Sequence, residues 1–252
     1  MKKIQADVVV IGGGSAGMVA FRTARQHTDN VYIIESHVFG TTCARVGCMP
    51  SKLLIAAADA RHHALQTDPF GIHLDKNSIT VNGKEVMDRV KSERDRFVGF
   101  VVSDTEEWPA DKRIMGAAKF IDEHTVRIDD HTEIHAQRFV IATGSRPFIL
   151  PDWEKLGDKL IVNDDVFYWD DLPKSVAVFG PGVVGLEIGQ ALHRLAVDTK
   201  IFGRSGNLGN ISDPVVLKEA TTVLSEELQL HLNTKTSVSL TADNRVEVRW
   251  NE

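Results

Sequence analysis

Cys43 and Cys48 are the only two cysteines in the sequence, and Ala-Arg-Val-Gly separates them. A disulfide-stapled secreted domain carries more cysteines than this. Two close together in a cytosolic chain more often perform redox or metal chemistry. A four-residue spacer that includes Gly47 lets the chain turn and bring two sulfurs to bonding distance. Met49-Pro50-Ser51-Lys52 follows at once and opens a helical pattern over residues 50–65, with Leu53, Leu54, Ala57, Ala58 and Ala60 as its apolar positions. A thiolate at Cys48 would lie near the positive end of that helix and near Lys52, where negative charge is favoured. A zinc site would need two further ligands. The histidines, such as His62-His63 and the pair His131 and His135, have no spacing that matches the cysteines, so no metal site is expected. His131 and His135 fall in a polar stretch and read as surface residues. Two inert buried cysteines are the remaining alternative.

A second source of chemistry is a glycine pattern that occurs twice. Gly12-x-Gly14-x-x-Gly17 follows the β-branched run at 7–11 and precedes a small-residue helical stretch that begins with Ser15 and Ala16. One glycine permits the tight turn, the next lets backbone approach a pyrophosphate, and the third lets helix and strand pack closely. The helix N-terminus presents N–H groups to phosphate. Glu35 stands at the end of the next apolar run, 31–35, where its carboxylate can accept hydrogen bonds from ribose hydroxyls. Gly180-x-Gly182-x-x-Gly185, with Val183 and Val184 between its last glycines, repeats the pattern after the strand at 175–179 and before a helix at 186–195. The strand at 199–202 then ends on Gly203-Arg204 rather than on an acid. A carboxylate repels a 2′-phosphate and an arginine pairs with it, so Arg204 favours NADP(H) over NAD(H), with a solvated surface arginine as the alternative.

The elements that must position these residues are those of an α/β fold with two Rossmann-like βαβ units, the second of them incomplete. A helix is expected over 85–108, ended by Pro109, and strands over 114–121, 125–128, 132–136 and 139–141. Residues 150–173, with Pro151 and Pro173, read as a connection. The expected domains are therefore 1–150 and 151–252. The 252 residues suffice for two modest cores. A net charge of −6 with interspersed signs gives no basic stripe for nucleic acid. No apolar run approaches the roughly 18 residues of a membrane span. The start, Met1-Lys2-Lys3 before an apolar run broken by Asp7, reads as a buried strand rather than a signal peptide, and a cytoplasmic location is expected.

Taken in order, these segments resemble the class I pyridine nucleotide–disulfide oxidoreductases, and within them dihydrolipoamide dehydrogenase most. The carrying residues are 12–17 with Glu35, then Gly40-Thr-Thr-Cys-Ala-Arg-Val-Gly-Cys-Met-Pro-Ser-Lys52, then Ala142-Thr143-Gly144-Ser-Arg-Pro147, then 180–187. The resemblance implies FAD bound through Gly12, Gly14, Ser15, Ala16, Gly17, Glu35, Ser36, Thr42, Gly47, Gly116, Ala117, Ala142, Thr143 and Gly144. It implies that Cys48 faces the flavin, that Cys43 exchanges with a disulfide or dithiol substrate, and that Lys52 and Glu187 form an ion pair at the flavin. It also implies a substrate of lipoyl or other small disulfide type, with another disulfide or a metal ion as alternatives, and a homodimer for the full-length protein. A dimerisation domain carrying a His–Glu base would lie beyond Glu252. The chain alone is therefore expected to be a poor catalyst, and a non-catalytic flavoprotein fragment is the reading from another class. Four positions depart from the family pattern: Thr41, Arg45, Ala196 and Gly203.

Overall fold

The chain runs β1 (Lys2–Ile11), α1 (Ser15–Ala24), β2 (Val31–Glu35), α2 (Thr42–Val46), α3 (Cys48–Leu65), α4 (Gly83–Glu106), β3 (Arg113–Met115), β4 (Ala118–Asp122), β5 (Thr125–Ile128) and β6 (Thr132–Ile141). It continues β7 (Ser175–Phe179), α5 (Val183–Arg194), β8 (Asp198–Phe202), α6 (Pro214–Glu227), β9 (Gln229–His231), β10 (Lys235–Leu240) and β11 (Val246–Asn251). These elements come from a computed structural model that describes residues 1–251. Two compact units share them: Met1–Met49 with Arg94–Arg146, and Pro50–Glu93 with the chain from Pro147 onward. The division falls inside α3 and inside α4.

The first unit is built on a six-stranded sheet in the order β3-β2-β1-β6-β5-β4. β1 is parallel to β2 and to β6, and β4, β5 and β6 form an antiparallel meander. The apolar run at 7–11 is only the inner part of β1. The strand extends back to Lys2 because that stretch also pairs with β6, from Lys2 opposite Thr132 to Ile11 opposite Ile141. The same pairing joins the strands expected at 132–136 and 139–141 into one. The strand expected at 114–121 divides instead. Gly116 takes a φ of +140°, its N–H donates to the Glu35 carbonyl, and the chain leaves β2 to begin the meander.

Two apolar clusters hold this unit together. Val10, Val31 and Ile33 pack with Met18 and Phe21 of α1 and with Trp108. Val9, Ile11 and Ile34 pack with Val126, Ile128, Ile134 and Ala136. Phe21 is fully buried and its ring lies 4.6 Å from that of Trp108. Burial of a side chain of that size is worth about 1.5–3 kcal/mol.

In the second unit, β7, β8 and β9 form a parallel sheet with β8 central, and β10 and β11 form a hairpin. The connection read at 150–173 carries two 3₁₀ segments, Pro151–Lys159 and Asp165–Tyr168. The helix expected from 186 starts one turn earlier, at Val183, so its first turn lies inside the glycine pattern.

The end of α5 gives one departure from the family pattern a physical cost. The Val197 N–H donates to the Leu192 carbonyl and the Ala196 N–H to the His193 carbonyl, which closes the helix with a left-handed residue at position 196. That residue is alanine at φ +67°. A β-carbon there is strained by about 1–2 kcal/mol, and a glycine would give back part of the relief through its freer unfolded chain. Ala196→Gly is expected to stabilise the protein by about 0.5–1 kcal/mol, read as a higher urea midpoint at unchanged slope. A lower midpoint would mean that the left-handed turn is not the strained element.

Candidate active site

The first glycine turn is closed by backbone contact. The Gly12 N–H donates to the Ile34 carbonyl at 2.8 Å. A β-carbon at Gly12 would stand 2.2 Å from the Ala142 carbonyl oxygen, and one at Gly17 would stand 1.8 Å from the Gly12 oxygen. At Gly14 a β-carbon would meet nothing within 4 Å. Two glycines are therefore demanded by the protein itself, and the third leaves an open approach at the start of α1. Gly14 caps that helix without a side-chain hydrogen bond, so the first-turn N–H groups of Ser15 and Ala16 have no capping side chain. This combination fits a dinucleotide pyrophosphate. Glu35 orders the turn as well: its carboxylate accepts the Gly13 N–H at 2.6 Å and the His37 N–H at 2.9 Å.

The second turn repeats the construction. The Gly180 N–H donates to the Phe202 carbonyl at 2.9 Å, a β-carbon at Gly185 would stand 2.1 Å from the Gly180 oxygen, and Gly182 is open. Val183 and Val184 are exposed at the head of α5. Strand register fixes the comparison between the turns: Ile11 pairs with Ile34, and Phe179 with Phe202, so Gly203 occupies the place of Glu35. Gly203 is buried, and a β-carbon there would come within 2.9 Å of Pro181 Cγ and 3.0 Å of Leu232 Cδ2. Arg204 is exposed and has no hydrogen bond or ion pair among the described residues.

Cys43 lies in α2 and Cys48 opens α3. Thr41 caps α2, its Oγ accepting the Ala44 N–H at 3.0 Å. Gly47 packs so closely that a β-carbon would stand 3.1 Å from Cys43 Cα. Both cysteines are thiols, and their side chains are in hydrogen-bond contact. That contact, burial, and the charge of Cys48 push the Cys43 thiol above its ordinary value of 9.0, against two backbone hydrogen bonds that act the other way.

In the second unit, Lys52 Nζ lies 2.6 Å from Glu187 Oε1, an ion pair between α3 and α5. Burial alone would raise the Glu187 carboxyl, but hydrogen bonds from Lys52 and Ser51 and the charge of Lys52 hold it below its ordinary 4.5. A second rung stands seven residues further along both helices. Arg194 Nη1 donates to Asp59 Oδ1 at 2.7 Å, while Nε donates to Glu227 Oε1 at 2.5 Å. The Arg194 carbonyl accepts from Arg61, and Gln190 also donates to Glu227. Asp59, Arg194 and Glu227 are absent from the sequence reading. Their only trace there is the shared spacing, 52 to 59 and 187 to 194.

A family model described as pyridine nucleotide-disulphide oxidoreductase matches residues 6–251. The chain belongs to that family. Dihydrolipoyl dehydrogenase of Bacillus subtilis (strain 168) is 28% identical over 232 residues, 88% of this chain and 48% of that protein. Mercuric reductase of Bacillus cereus is 28% identical over 225 residues, 88% of this chain and 34% of that protein. A solved Cu(II) complex of the HOCl-induced flavoprotein disulfide reductase RclA from Escherichia coli superposes with a TM-score of 0.76 at 22% identity, over 97% of this chain and 53% of that one. That last likeness is one of fold. The chain spans about half the length of the curated dihydrolipoyl dehydrogenases it matches.

Within the family's pattern, the first unit brings together the first glycine turn, Glu35, Ser36, Thr42, Cys43, Gly47, Cys48, Gly116, Ala117, Ala142, Thr143 and Gly144. The second contains Lys52, Glu187, the second glycine turn and Arg204. Gly144 takes a φ of +70° and is open to solvent. Ala117 is more committed than the sequence suggests. Its N–H donates to Asp129 Oδ1 at 3.2 Å, and its carbonyl accepts the Asp129 N–H at 3.1 Å. Among the described residues no cluster of metal-ligating side chains is present, and no helix is long and apolar enough to cross a membrane.

Two measurements follow from the electrostatics. Hydrogen bonding and the Arg194 charge hold Glu227 below its ordinary 4.5, against opposing burial, as the Lys52 contacts do for Glu187. Carboxyls lowered by folding contribute stability that is present above about pH 4.5 and is lost as pH falls through their folded values. Arg194→Met is expected to cost about 1–2 kcal/mol at pH 7 and to flatten the acid loss of stability. An unchanged acid limb in urea melts from pH 7 to pH 3 would remove Arg194 from this role. For the thiols, alkylation followed by mass spectrometry reads each site separately, because trypsin cuts after Arg45. Cys43 is expected to react only as pH approaches and passes 9, and at lower pH once Cys48→Ala removes its partner. A Cys43 profile indifferent to Cys48 would contradict the contact.

Proposed function

We propose that the chain is the FAD- and nicotinamide-nucleotide-binding part of a disulfide/dithiol oxidoreductase of dihydrolipoamide dehydrogenase type, with residues 1–150 serving FAD and 151–252 serving NAD(P)(H). The observation that carries this reading is the pair of thiols held in contact across a capped one-turn helix, in the unit that also holds a dinucleotide turn. FAD supplies the means to accept a hydride from the nicotinamide and deliver the electron pair to a disulfide.

The chain's own residues supply the thiol chemistry. The Cys43 thiolate attacks one sulfur of the substrate disulfide, whose S–S bond breaks and releases one thiolate, which takes a proton. The Cys48 thiolate then attacks Cys43 Sγ in the mixed disulfide. The second substrate thiolate leaves, and the Cys43–Cys48 disulfide remains to be reduced again by the pair drawn from NAD(P)H. A Cys43 thiol raised by its neighbour needs a base to take its proton. On this reading the base is the His–Glu pair that the resemblance puts in the partner subunit of a full-length homodimer. Lys52 and Glu187 are the ion pair beside the flavin.

NADP(H) is preferred over NAD(H) on this reading. The position of the ribose-binding acid is a glycine that Pro181 and Leu232 keep small, and the exposed, uncommitted Arg204 follows it. Reduction of a thiophilic metal ion by the same dithiol is the second reading, favoured by the exposure of Cys48, since thiolates select soft metals.

The test loads the protein with FAD and titrates it anaerobically with NADPH and with NADH. Long-wavelength absorption is expected to grow, at lower concentration with NADPH, and to be lost in Cys48→Ser. Arg204→Ala is expected to weaken NADPH about tenfold and to leave NADH unchanged, the loss of one charge-assisted hydrogen bond. Flavin that bleaches with no such band would abandon the disulfide assignment for a simple flavin reductase. Turnover of Cu(II) or Hg(II) without turnover of lipoamide would select the second reading.

A further inference from the structure

Arg45 stands between the two cysteines, and its bonds lead away from them. Nη2 donates to the Phe39 carbonyl at 2.6 Å. The guanidinium lies against Gly40, where a β-carbon would come within 3.0 Å of Nε, and Gly40 has a φ of +123°. Phe39 in turn touches the first nucleotide turn: a β-carbon on Gly13 would stand 2.7 Å from the edge of its ring. The ring meets Trp108 edge-on at 6.5 Å and packs on the cluster of Val10, Met18 and Phe21. Gly13 donates its N–H to Glu35. A continuous set of contacts therefore runs from the redox turn through Arg45 and Phe39 to the glycine turn, all inside one unit.

We propose that Arg45 is a positioning residue that couples the Cys43–Cys48 turn to the first glycine turn through Phe39. The strength with which the chain holds FAD then depends on whether the cysteines are dithiol or disulfide. This rests on the proposed function, which assigns FAD to that turn and redox cycling to that pair. Closing the disulfide draws Cys43 toward Cys48 and alters α2, whose last turn carries Arg45. Arg45 passes the displacement to Phe39, and Phe39 is already in close contact with Gly13. The coupling is one of position rather than of charge, since the neighbour that acts on the Cys43 thiol is Cys48. Linkage makes it reciprocal: the factor by which oxidation changes FAD affinity is the factor by which FAD changes the dithiol–disulfide equilibrium.

The experiment measures FAD affinity by flavin fluorescence for the dithiol and disulfide forms of the wild type, Arg45→Met and Arg45→Lys, with circular dichroism to confirm folding. The wild type is expected to show affinities that differ about fivefold or more between its two forms, within the usual range of coupling. In Arg45→Met the two forms should agree within about twofold, and Arg45→Lys, which still donates to the Phe39 carbonyl, should recover part of the difference. A wild type that binds FAD equally in both forms, or an Arg45→Met variant that keeps the full difference, overturns the coupling alone. A wild type that binds no FAD, or forms no Cys43–Cys48 disulfide under mild oxidant, overturns the proposed function and the coupling with it.

Discussion

Each nucleotide fold depends on one contact made without side chains. The carbonyl oxygen of the first fingerprint glycine lies where the third glycine's β-carbon would be, 1.8 Å away at Gly17 and 2.1 Å away at Gly185. That contact sets how closely the helix follows the strand, and hence where the helix N-terminus opens. The strand side is fixed in the same way in both units, by an N–H of the first glycine bonded to the carbonyl at the end of the neighbouring strand. A turn closed by backbone contact has little freedom to relax around an added methyl group, so its crowded glycines are set by geometry before any ligand is considered. The open glycines, Gly14 and Gly182, are the opposite case. Nothing in the protein forbids a side chain there, and their smallness leaves the heads of α1 and α5 open to approach.

The charged rungs between α3 and α5 follow a different logic. Lys52–Glu187 and Asp59–Arg194 lie on matching two-turn spacings, with the sign of the charge exchanged between the helices. One pair alone would tolerate a slip of one helix along the other, whereas two pairs of opposite polarity would meet like charges if the register moved. Arg194 is the better anchored of the four, because its guanidinium is also bidentate to Glu227 on α6 and its carbonyl is taken by Arg61. The Lys52–Glu187 pair is thereby supported in its register by the Asp59–Arg194 pair.

Local signals made much of this legible in the sequence. The strands at 31–35, 125–128 and 175–179 were bounded within the run of residues that forms them, and the helix after Cys48 was visible from its proline and apolar spacing. What failed to show were features decided by partners far along the chain. The Lys2–Ala6 stretch of β1 is too polar to announce a strand and is one only because β6 lies beside it. The break at Gly116 depends on Glu35 and Asp129, neither of them near it in sequence. Nothing in residue type singles out Arg194, and only the meeting of three helices makes it a hub. Arg45 was visible as a departure from the family pattern, but its carbonyl partner could not be read from residue type.

Glu35 and Gly203 fill equivalent positions with opposite residue choices. Both stand at the same place in the register, one residue beyond the last pair of equivalent strands. Loss of an acid at such a position could be neutral drift, in which case the space for a side chain would persist. Here the space is filled. Pro181, inside the glycine turn, and Leu232, just beyond β9, both come within about 3 Å of where a β-carbon would be. Gly203 is therefore crowded by side chains, less severely than Gly17 is by backbone, and a carboxylate there would require Pro181 and Leu232 to give way. In the first unit the register position serves the turn by adding a carboxylate, which binds the Gly13 N–H. In the second it serves the turn by adding nothing, because Pro181 has no N–H to offer and takes up the room instead. A single residue choice inside the turn, glycine at 13 or proline at 181, thus decides which chemistry the end of the next strand can carry.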